Sequence, residues 1–83
     1  MGPKIMIYTL STCSHCKACK SFLNDHKVEY DYVDVDQLQG EQRQDVIDEM
    51  RDYNPNLSFP TILIGDKVII GFRENELKEV LGI

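Results

Sequence analysis

The junction between a strand-like and a helix-like segment near the N-terminus constrains the fold more than any other feature of this sequence. Residues 4–9, KIMIYT, are mainly β-branched, apolar and aromatic, which is typical of a short buried strand. From Ser14 onward the spacing changes to steps of three and four residues, as in a helix that buries one face. The residues on that face are Cys16, Cys19, Phe22, Leu23 and His26. Residues 10–13 are therefore predicted to form the turn between the strand and the helix.

Two further segments continue this alternation. Residues 28–36, VEYDYVDVD, alternate apolar and acidic side chains and predict a second strand. Residues 37–54 predict a second helix with a bent entry at Gly40, because one apolar stripe runs through an otherwise polar segment. That stripe consists of Val46, Ile47, Met50 and Tyr53.

The C-terminal third predicts a loop, a β-hairpin and a last helix. The loop covers residues 54–60, and strands at 60–64 and 67–72 flank a Gly-Asp turn. In residues 74–83, one helical face carries Leu77, Val80 and Leu81, and Gly82 suits the C-cap position.

The resulting element order, β-α-β-α-β-β-α, predicts an α/β fold. The helix between the first two strands implies a right-handed parallel crossover, and the later hairpin adds two antiparallel strands. A four-stranded mixed sheet flanked by three helices accounts for all three amphipathic stripes. A chain of 83 residues is long enough for a single domain, residues 1–83, with one core.

The composition narrows the possible function classes. The net charge of −5 disfavours a nucleic-acid partner, which requires a basic surface. No apolar run reaches the length of a membrane-spanning helix, and residues 1–10 do not resemble a secretory signal. We therefore expect a cytoplasmic monomer that binds neither nucleic acid nor membranes.

All three cysteines lie within residues 13–19, whereas a scaffold built on disulfides distributes an even number along the chain. Clustered thiols in a cytosolic protein favour redox chemistry or metal binding. At the start of a helix, unpaired N–H groups and the helix dipole stabilise a thiolate. Cys13, just outside the helix, is therefore predicted to be a nucleophile with a lowered pKa, and Cys16 the shielded thiol that resolves a mixed disulfide.

The remaining residues of the motif leave alternatives open. Ser14 and His15 are predicted to tune the redox potential, with His15 favouring the thiolate and making the pair more oxidising than that of thioredoxin. Cys19 continues the buried face of the helix and is interpreted as a small apolar core residue. The alternative function is that of a metal or iron–sulfur cluster carrier that uses Cys13, Cys16 and Cys19, with His15 as a further candidate zinc ligand.

Three segments, YTLSTCSHCKAC, SFPTILI and GFRENEL, resemble in order and spacing a glutaredoxin of the thioredoxin fold, over essentially the whole chain. The resemblance implies a thiol–disulfide oxidoreductase that reduces disulfides in proteins. It also implies that a cis peptide bond precedes Pro60, that Pro60 faces the cysteine pair, and that Phe59 offers backbone groups to an incoming peptide or thiol. It requires no cofactor beyond the redox-active Cys13–Cys16 pair, with glutathione as a candidate small-molecule partner.

The sequence departs from glutathione-using glutaredoxins at two places. Leu10 stands where many of them carry a basic residue, and IIGFRENEL stands where they carry a Gly-Gly-x-Asp-Asp type stretch that holds glutathione. Gly71, Phe72 and Arg73, assigned here to substrate binding, instead resemble the NrdH-type redoxins. Those proteins take electrons from thioredoxin reductase and pass them to ribonucleotide reductase. The resemblance thus implies a donor like thioredoxin reductase, with glutathione as the other candidate, and ribonucleotide reductase as a candidate substrate.

Overall fold

The computed structural model describes residues 4–83, which form strands and helices in the order expected from the sequence. Residues 1–3, part of the segment predicted to carry no secretory signal, lie outside the described residues. The elements are β1 (Ile5–Thr9), α1 (Ser14–Asp25), β2 (Asp31–Asp34), α2 (Gly40–Tyr53), β3 (Thr61–Ile64), β4 (Lys67–Ile70) and α3 (Glu74–Leu81).

The strands form one four-stranded mixed sheet, as predicted, and their order in the sheet is β2-β1-β3-β4. β1 and β2 are parallel, and Thr9 is the register partner of Asp34. β3 is antiparallel to both of its neighbours, so Thr61 lies opposite Tyr8 on one side and opposite Ile70 on the other. The parallel pair with its helical crossover and the antiparallel hairpin are both confirmed.

The helices cover both faces of the sheet. One face, packed against α1 and α3, holds the main hydrophobic core, whose buried members are Ile5, Ile7, Cys19, Phe22, Leu23, Ile62, Ile64, Ile69 and Leu77. Tyr8 follows Ile7 in the strand and therefore points to the opposite face. Its hydroxyl donates a hydrogen bond to Glu49 of α2, with a distance of 3.0 Å between Oη and Oε1. That contact places α2 on the second face.

The second strand is shorter than predicted. It spans Asp31–Asp34 rather than 28–36, and Val35–Gln37 form a short 3₁₀ turn in which Val35 is buried. At the C-terminal end of β2, the physical reason is the length of the neighbouring strand: β1 ends at Thr9, opposite Asp34, so the residues beyond Asp34 have no strand to pair with. The alternation of apolar and acidic residues continues past that point without a strand.

The second helix begins at Gly40, three residues later than predicted, and Gly40 itself has a φ of +59°. Of its predicted apolar stripe, Met50 is fully buried, Val46 and Ile47 are half-buried, and Tyr53 is 44% exposed. At the other end of the chain, Gly82 has a φ of +72° and caps α3, as predicted. None of the helices within residues 4–83 is long and apolar enough to cross a membrane.

Candidate active site

The sheet register brings three connecting segments to one end of the sheet. Because Tyr8 pairs with Thr61, residues 59–60 lie beside the end of β1, from which the chain continues to Cys13. Because Thr61 pairs with Ile70, the residues that follow β4 lie at the same end. The N–H of Gly71 donates to the carbonyl oxygen of Pro60 at 2.8 Å and joins two of these segments directly.

Cys13 is the N-cap residue of α1. Its backbone is extended, with φ −82° and ψ 120°, and its Sγ accepts a hydrogen bond from the N–H of Cys16 at 3.3 Å. Its own N–H donates to the carbonyl oxygen of Leu10 at 3.1 Å, which closes the turn that leaves β1. The sulfur thus occupies the position where an N-cap oxygen normally satisfies a free N–H group of the first helical turn.

The pKa of Cys13 lies below that of an ordinary cysteine thiol. Partial burial raises the pKa, but hydrogen bonds from the Cys16 thiol and from the backbone N–H groups of Cys16 and His15 lower it by more. These donors stabilise the negative charge on the sulfur. Cys13 is half-buried, so its thiolate is accessible to a reagent or substrate.

Cys16 has the opposite character. It is 0% exposed, and burial raises its pKa to about 12, with further contributions from the hydrogen bond to Cys13 and from the charge on Cys13. At neutral pH, Cys16 therefore remains a protonated thiol beside an activated sulfur. This asymmetry is what a nucleophile and its resolving partner require.

Cys19 lies in the hydrophobic core and is also 0% exposed, in agreement with its interpretation as a core residue. Burial raises the pKa of this thiol to about 11. Within residues 4–83, no group of three or more histidine, cysteine, aspartate or glutamate side chains is placed so that it could hold a metal ion. The geometry therefore does not favour the carrier alternative, in which Cys13, Cys16 and Cys19 bind a metal or cluster.

The other predicted site residues lie at the same end of the sheet as the cysteine pair and differ in exposure. Ser14 and His15 are exposed in the first turn of α1. The peptide bond between Phe59 and Pro60 is cis, as the family resemblance implied. Pro60 is buried, whereas Phe59 is half-buried. Within residues 4–83, neither the N–H nor the carbonyl oxygen of Phe59 takes part in a backbone hydrogen bond, so both are unpaired there.

Gly71, Phe72 and Arg73 differ in backbone conformation, packing and exposure. Gly71 has a φ of +86°, a left-handed conformation that other residues rarely adopt. The ring of Phe72 packs edge-on against Phe22 of α1, with centroids 5.8 Å apart, and so contributes to the core. Arg73 is exposed, and its Nε donates to the carbonyl oxygen of Ile70 at 3.2 Å.

A polar contact that supports the active-site turn was missed from the sequence. Ser11 donates from its backbone N–H to Asp36 Oδ1 at 2.9 Å and from its hydroxyl to Asp36 Oδ2, and Gln37 Nε2 donates to the Ser11 hydroxyl oxygen at 3.0 Å. The two hydrogen bonds from Ser11, that of its hydroxyl foremost, lower the pKa of Asp36. The parallel register of β1 and β2 was the available signal, because it places the residues after both strands at one end of the sheet.

Comparisons with known proteins show which family and which solved structures this chain is similar to. Residues 5–69 match the family model of glutaredoxin. The methanoredoxin of Methanosarcina acetivorans has 41% sequence identity and a TM-score of 0.93, over 98% of this chain and 86% of that one. A glutaredoxin from Methanosarcina mazei Go1 has 44% identity and a TM-score of 0.88, over 100% of this chain and 84% of that one.

A more distant structure matches the fold alone. The NrdH-redoxin of Escherichia coli has 22% identity and a TM-score of 0.76, over 93% of each chain. Together these similarities confirm the thioredoxin fold predicted from the element order. They leave the NrdH-like interpretation of Gly71, Phe72 and Arg73 as a prediction.

Proposed function

Because the chain belongs to the glutaredoxin family, we propose that it is a thiol–disulfide oxidoreductase that reduces disulfides in proteins. Cys13 is the nucleophile and Cys16 the resolving thiol. The observation that carries the proposal is the hydrogen-bonded pair at the start of α1, in which the accessible sulfur has a lowered pKa and its buried partner a raised one. Membership of the family supports a redox role; the assignment of the two steps rests on this pair.

In the first step, the Cys13 thiolate attacks one sulfur of the substrate disulfide. A new S–S bond joins Cys13 to that sulfur, the substrate S–S bond breaks, and the other substrate sulfur leaves as a thiolate that takes a proton from water. The negative charge on Cys13 is lost in this step. Since that charge contributes to the raised pKa of Cys16, its loss makes the Cys16 proton easier to remove.

In the second step, Cys16 gives its proton to water and its sulfur attacks Cys13 Sγ. The Cys13–Cys16 disulfide forms, the mixed disulfide breaks, and the second substrate sulfur leaves as a thiolate that takes up a proton. Two electrons have then passed from the protein to the substrate. The free N–H and carbonyl groups of Phe59 support binding of an extended polypeptide next to the pair, through main-chain hydrogen bonds of the kind that strands make.

Replacement of each cysteine tests the assignment. Cys13→Ser is expected to abolish reduction of a peptide disulfide. Cys16→Ser is expected to stop after the first step and to accumulate a mixed disulfide at Cys13, visible as an adduct mass in intact-protein mass spectrometry. Cys19→Ala is the matched control and is expected to retain turnover, because Cys19 lies in the core. Turnover by Cys13→Ser would refute Cys13 as the nucleophile.

The electron donor is a separate part of the proposal. Leu10, whose carbonyl oxygen accepts the N–H of Cys13, is apolar where glutathione-using relatives are expected to be basic. We propose a protein donor like thioredoxin reductase rather than glutathione, and a cytoplasmic setting in which ribonucleotide reductase is a candidate substrate. Side-by-side reduction of the oxidised protein by glutathione and by thioredoxin reductase with NADPH tests this. Faster reduction by glutathione at physiological concentrations would contradict it.

A further inference from the structure

Asn54, the residue that follows α2, is 0% exposed, yet its side chain is polar and uncharged. Its amide nitrogen Nδ2 lies 3.2 Å from the carbonyl oxygen of Ser58, 2.9 Å from the Ser58 hydroxyl oxygen and 3.0 Å from Thr61 Oγ1. Burying an amide is costly unless its hydrogen-bonding groups are satisfied, and here they are. The contacts reach residues on both sides of Phe59–Pro60.

The other polar groups of Asn54 also hold the loop that runs from Asn54 to Thr61. Its Oδ1 accepts the N–H of Asn56 at 3.2 Å, and its carbonyl oxygen accepts the N–H of Leu57 at 2.9 Å. The Thr61 hydroxyl in turn donates to the Ser58 carbonyl oxygen at 2.8 Å. Within residues 4–83, every side-chain hydrogen bond to residues 55–59 comes from Asn54 or Thr61. These two buried residues are therefore the polar anchors of the loop.

The anchored loop carries the free backbone groups of Phe59. Ser58 and Thr61 are both fixed by Asn54, and Phe59–Pro60 lie between them. On the far side, Pro60 is bonded to Gly71 through its carbonyl oxygen, and its register places it beside the end of β1 that leads to Cys13. A shift of the loop would therefore move the backbone of Phe59 relative to Cys13 Sγ without removing any of the hydrogen bonds to the sulfur.

We propose that Asn54 is a positioning residue for the reduction of polypeptide disulfides. It holds the 54–61 loop so that the backbone of Phe59 binds an extended substrate at the correct distance from Cys13. This inference rests on the proposed function. It assigns Asn54 to the binding of the polypeptide and not to activation of the thiol, because none of the hydrogen bonds that lower the pKa of Cys13 comes from this loop.

The inference distinguishes two kinds of substrate. A peptide disulfide uses both the sulfur of Cys13 and the backbone of Phe59, whereas a small aromatic disulfide such as dithiobis(nitrobenzoate) requires only the sulfur. Loss of the Asn54 anchor should weaken the binding of the peptide and leave the reaction with the small disulfide unchanged. A merely structural role would lower the folded fraction and reduce both activities equally.

The test uses the fully reduced protein in single-turnover stopped-flow reactions, so that no donor is needed. Asn54→Ala removes all the hydrogen bonds of the Asn54 side chain. Asn54→Asp keeps the acceptor for the N–H of Asn56 but loses the amide donors. The matched control is Asn56→Ala, since Asn56 is an exposed residue of the same loop that joins the cluster only through its backbone N–H. Thr61→Val is a nearly isosteric variant that keeps Asn54 and removes the Thr61 hydroxyl.

For Asn54→Ala and Asn54→Asp, the peptide concentration at half-maximal rate is expected to rise roughly tenfold, while the maximal rate changes by less than about twofold. The rate with dithiobis(nitrobenzoate) and the pH profile of Cys13 alkylation should match those of the unchanged protein and of Asn56→Ala. If neither Asn54 variant folds, Thr61→Val should show a smaller rise of the same kind.

An unchanged half-saturation concentration in the folded variants would overturn the inference, as would a parallel loss of both activities or a displaced alkylation profile. Failure of the proposed function would look different. In that case the unchanged protein would reduce neither substrate, or Cys13→Ser would remain active.

Discussion

Replacing Cys19 tests whether this thiol is only a core residue or a third thiol that takes part in the redox reaction. Cys19 is 0% exposed and packs in the cluster that contains Ile7, Phe22 and Leu23. Cys19→Ala removes one sulfur atom from a close-packed core and leaves a small cavity, which should lower the free energy of unfolding by roughly 1–2 kcal/mol. For a domain of this size, each kcal/mol lost from the free energy of unfolding lowers Tm by about 4–8 °C.

Cys19→Ser keeps the size of the side chain but buries a hydroxyl group. Desolvation of the hydroxyl adds a cost of about 1–3 kcal/mol. A hydrogen bond from the serine to the backbone carbonyl one turn earlier in α1 offsets part of that cost. The expected free energy of unfolding therefore decreases from cysteine to alanine to serine.

Urea unfolding at pH 7 under reducing conditions, monitored by circular dichroism, measures this order, and a peptide-disulfide assay on the folded variants measures turnover. Turnover should be retained in both variants. An unfolding free energy that neither substitution changes would contradict the packing of Cys19. Loss of turnover in an alanine variant of near-normal stability would show that the third thiol takes part in the reaction.

Three further predictions follow from the site. The rate of Cys13 alkylation by iodoacetamide should rise with pH through a pKa below that of an ordinary thiol. Cys16→Ala should raise that pKa, because it removes the thiol that donates a hydrogen bond to Cys13. An alkylation profile that Cys16→Ala leaves unchanged would contradict the hydrogen-bonded pair. Asp36→Asn should loosen the turn at Ser11 and slow peptide-disulfide reduction, with Asp45→Asn on the exposed face of α2 as the control. Equal reduction rates in the two variants would contradict the support of the turn by Asp36. Gly71→Ala should lower the free energy of unfolding by roughly 1–2 kcal/mol in urea titrations, because alanine disfavours a positive φ. The methyl group itself has space, since within residues 4–83 nothing beyond the two chain neighbours lies within 4 Å of its position. An unchanged free energy of unfolding would contradict the left-handed conformation of Gly71.

The periodic parts of the sequence predicted most of the fold. Of the stripe predicted for α1, Cys16, Cys19, Phe22 and Leu23 are buried as expected, whereas His26 is the exposed C-cap residue. The Gly-Asp turn joins β3 to β4. The error at the C-terminal end of β2 had a non-local cause: the strand stops there because its neighbour stops, and residues 28–36 do not contain that information. The acidic residues Asp34 and Asp36 continue the strand pattern, but they serve as partners for Thr9 and Ser11 across the sheet.

The site was predictable where it depends on local helix geometry and not where it depends on contacts between distant segments. The pairing of Cys13 with the N–H of Cys16 follows from three residues of sequence at a helix start. The Ser11–Asp36 contact joins residues 25 positions apart and requires the sheet register to be known. Asn54 looked like an ordinary loop residue, because asparagine is common in loops and nothing in its sequence neighbourhood indicates burial.

The two cysteines proposed to change oxidation state, Cys13 and Cys16, stand outside the main hydrophobic cluster, which contains Cys19. On the proposed function, formation and reduction of a Cys13–Cys16 bond would rearrange atoms at one end of the sheet and leave the packing between the sheet, α1 and α3 in place. The protein would then shuttle electrons repeatedly without a folding cost in each cycle. Amide hydrogen exchange in β1 and β3 should consequently proceed at the same rates in both redox states, with differences confined to the segment around residues 10–17.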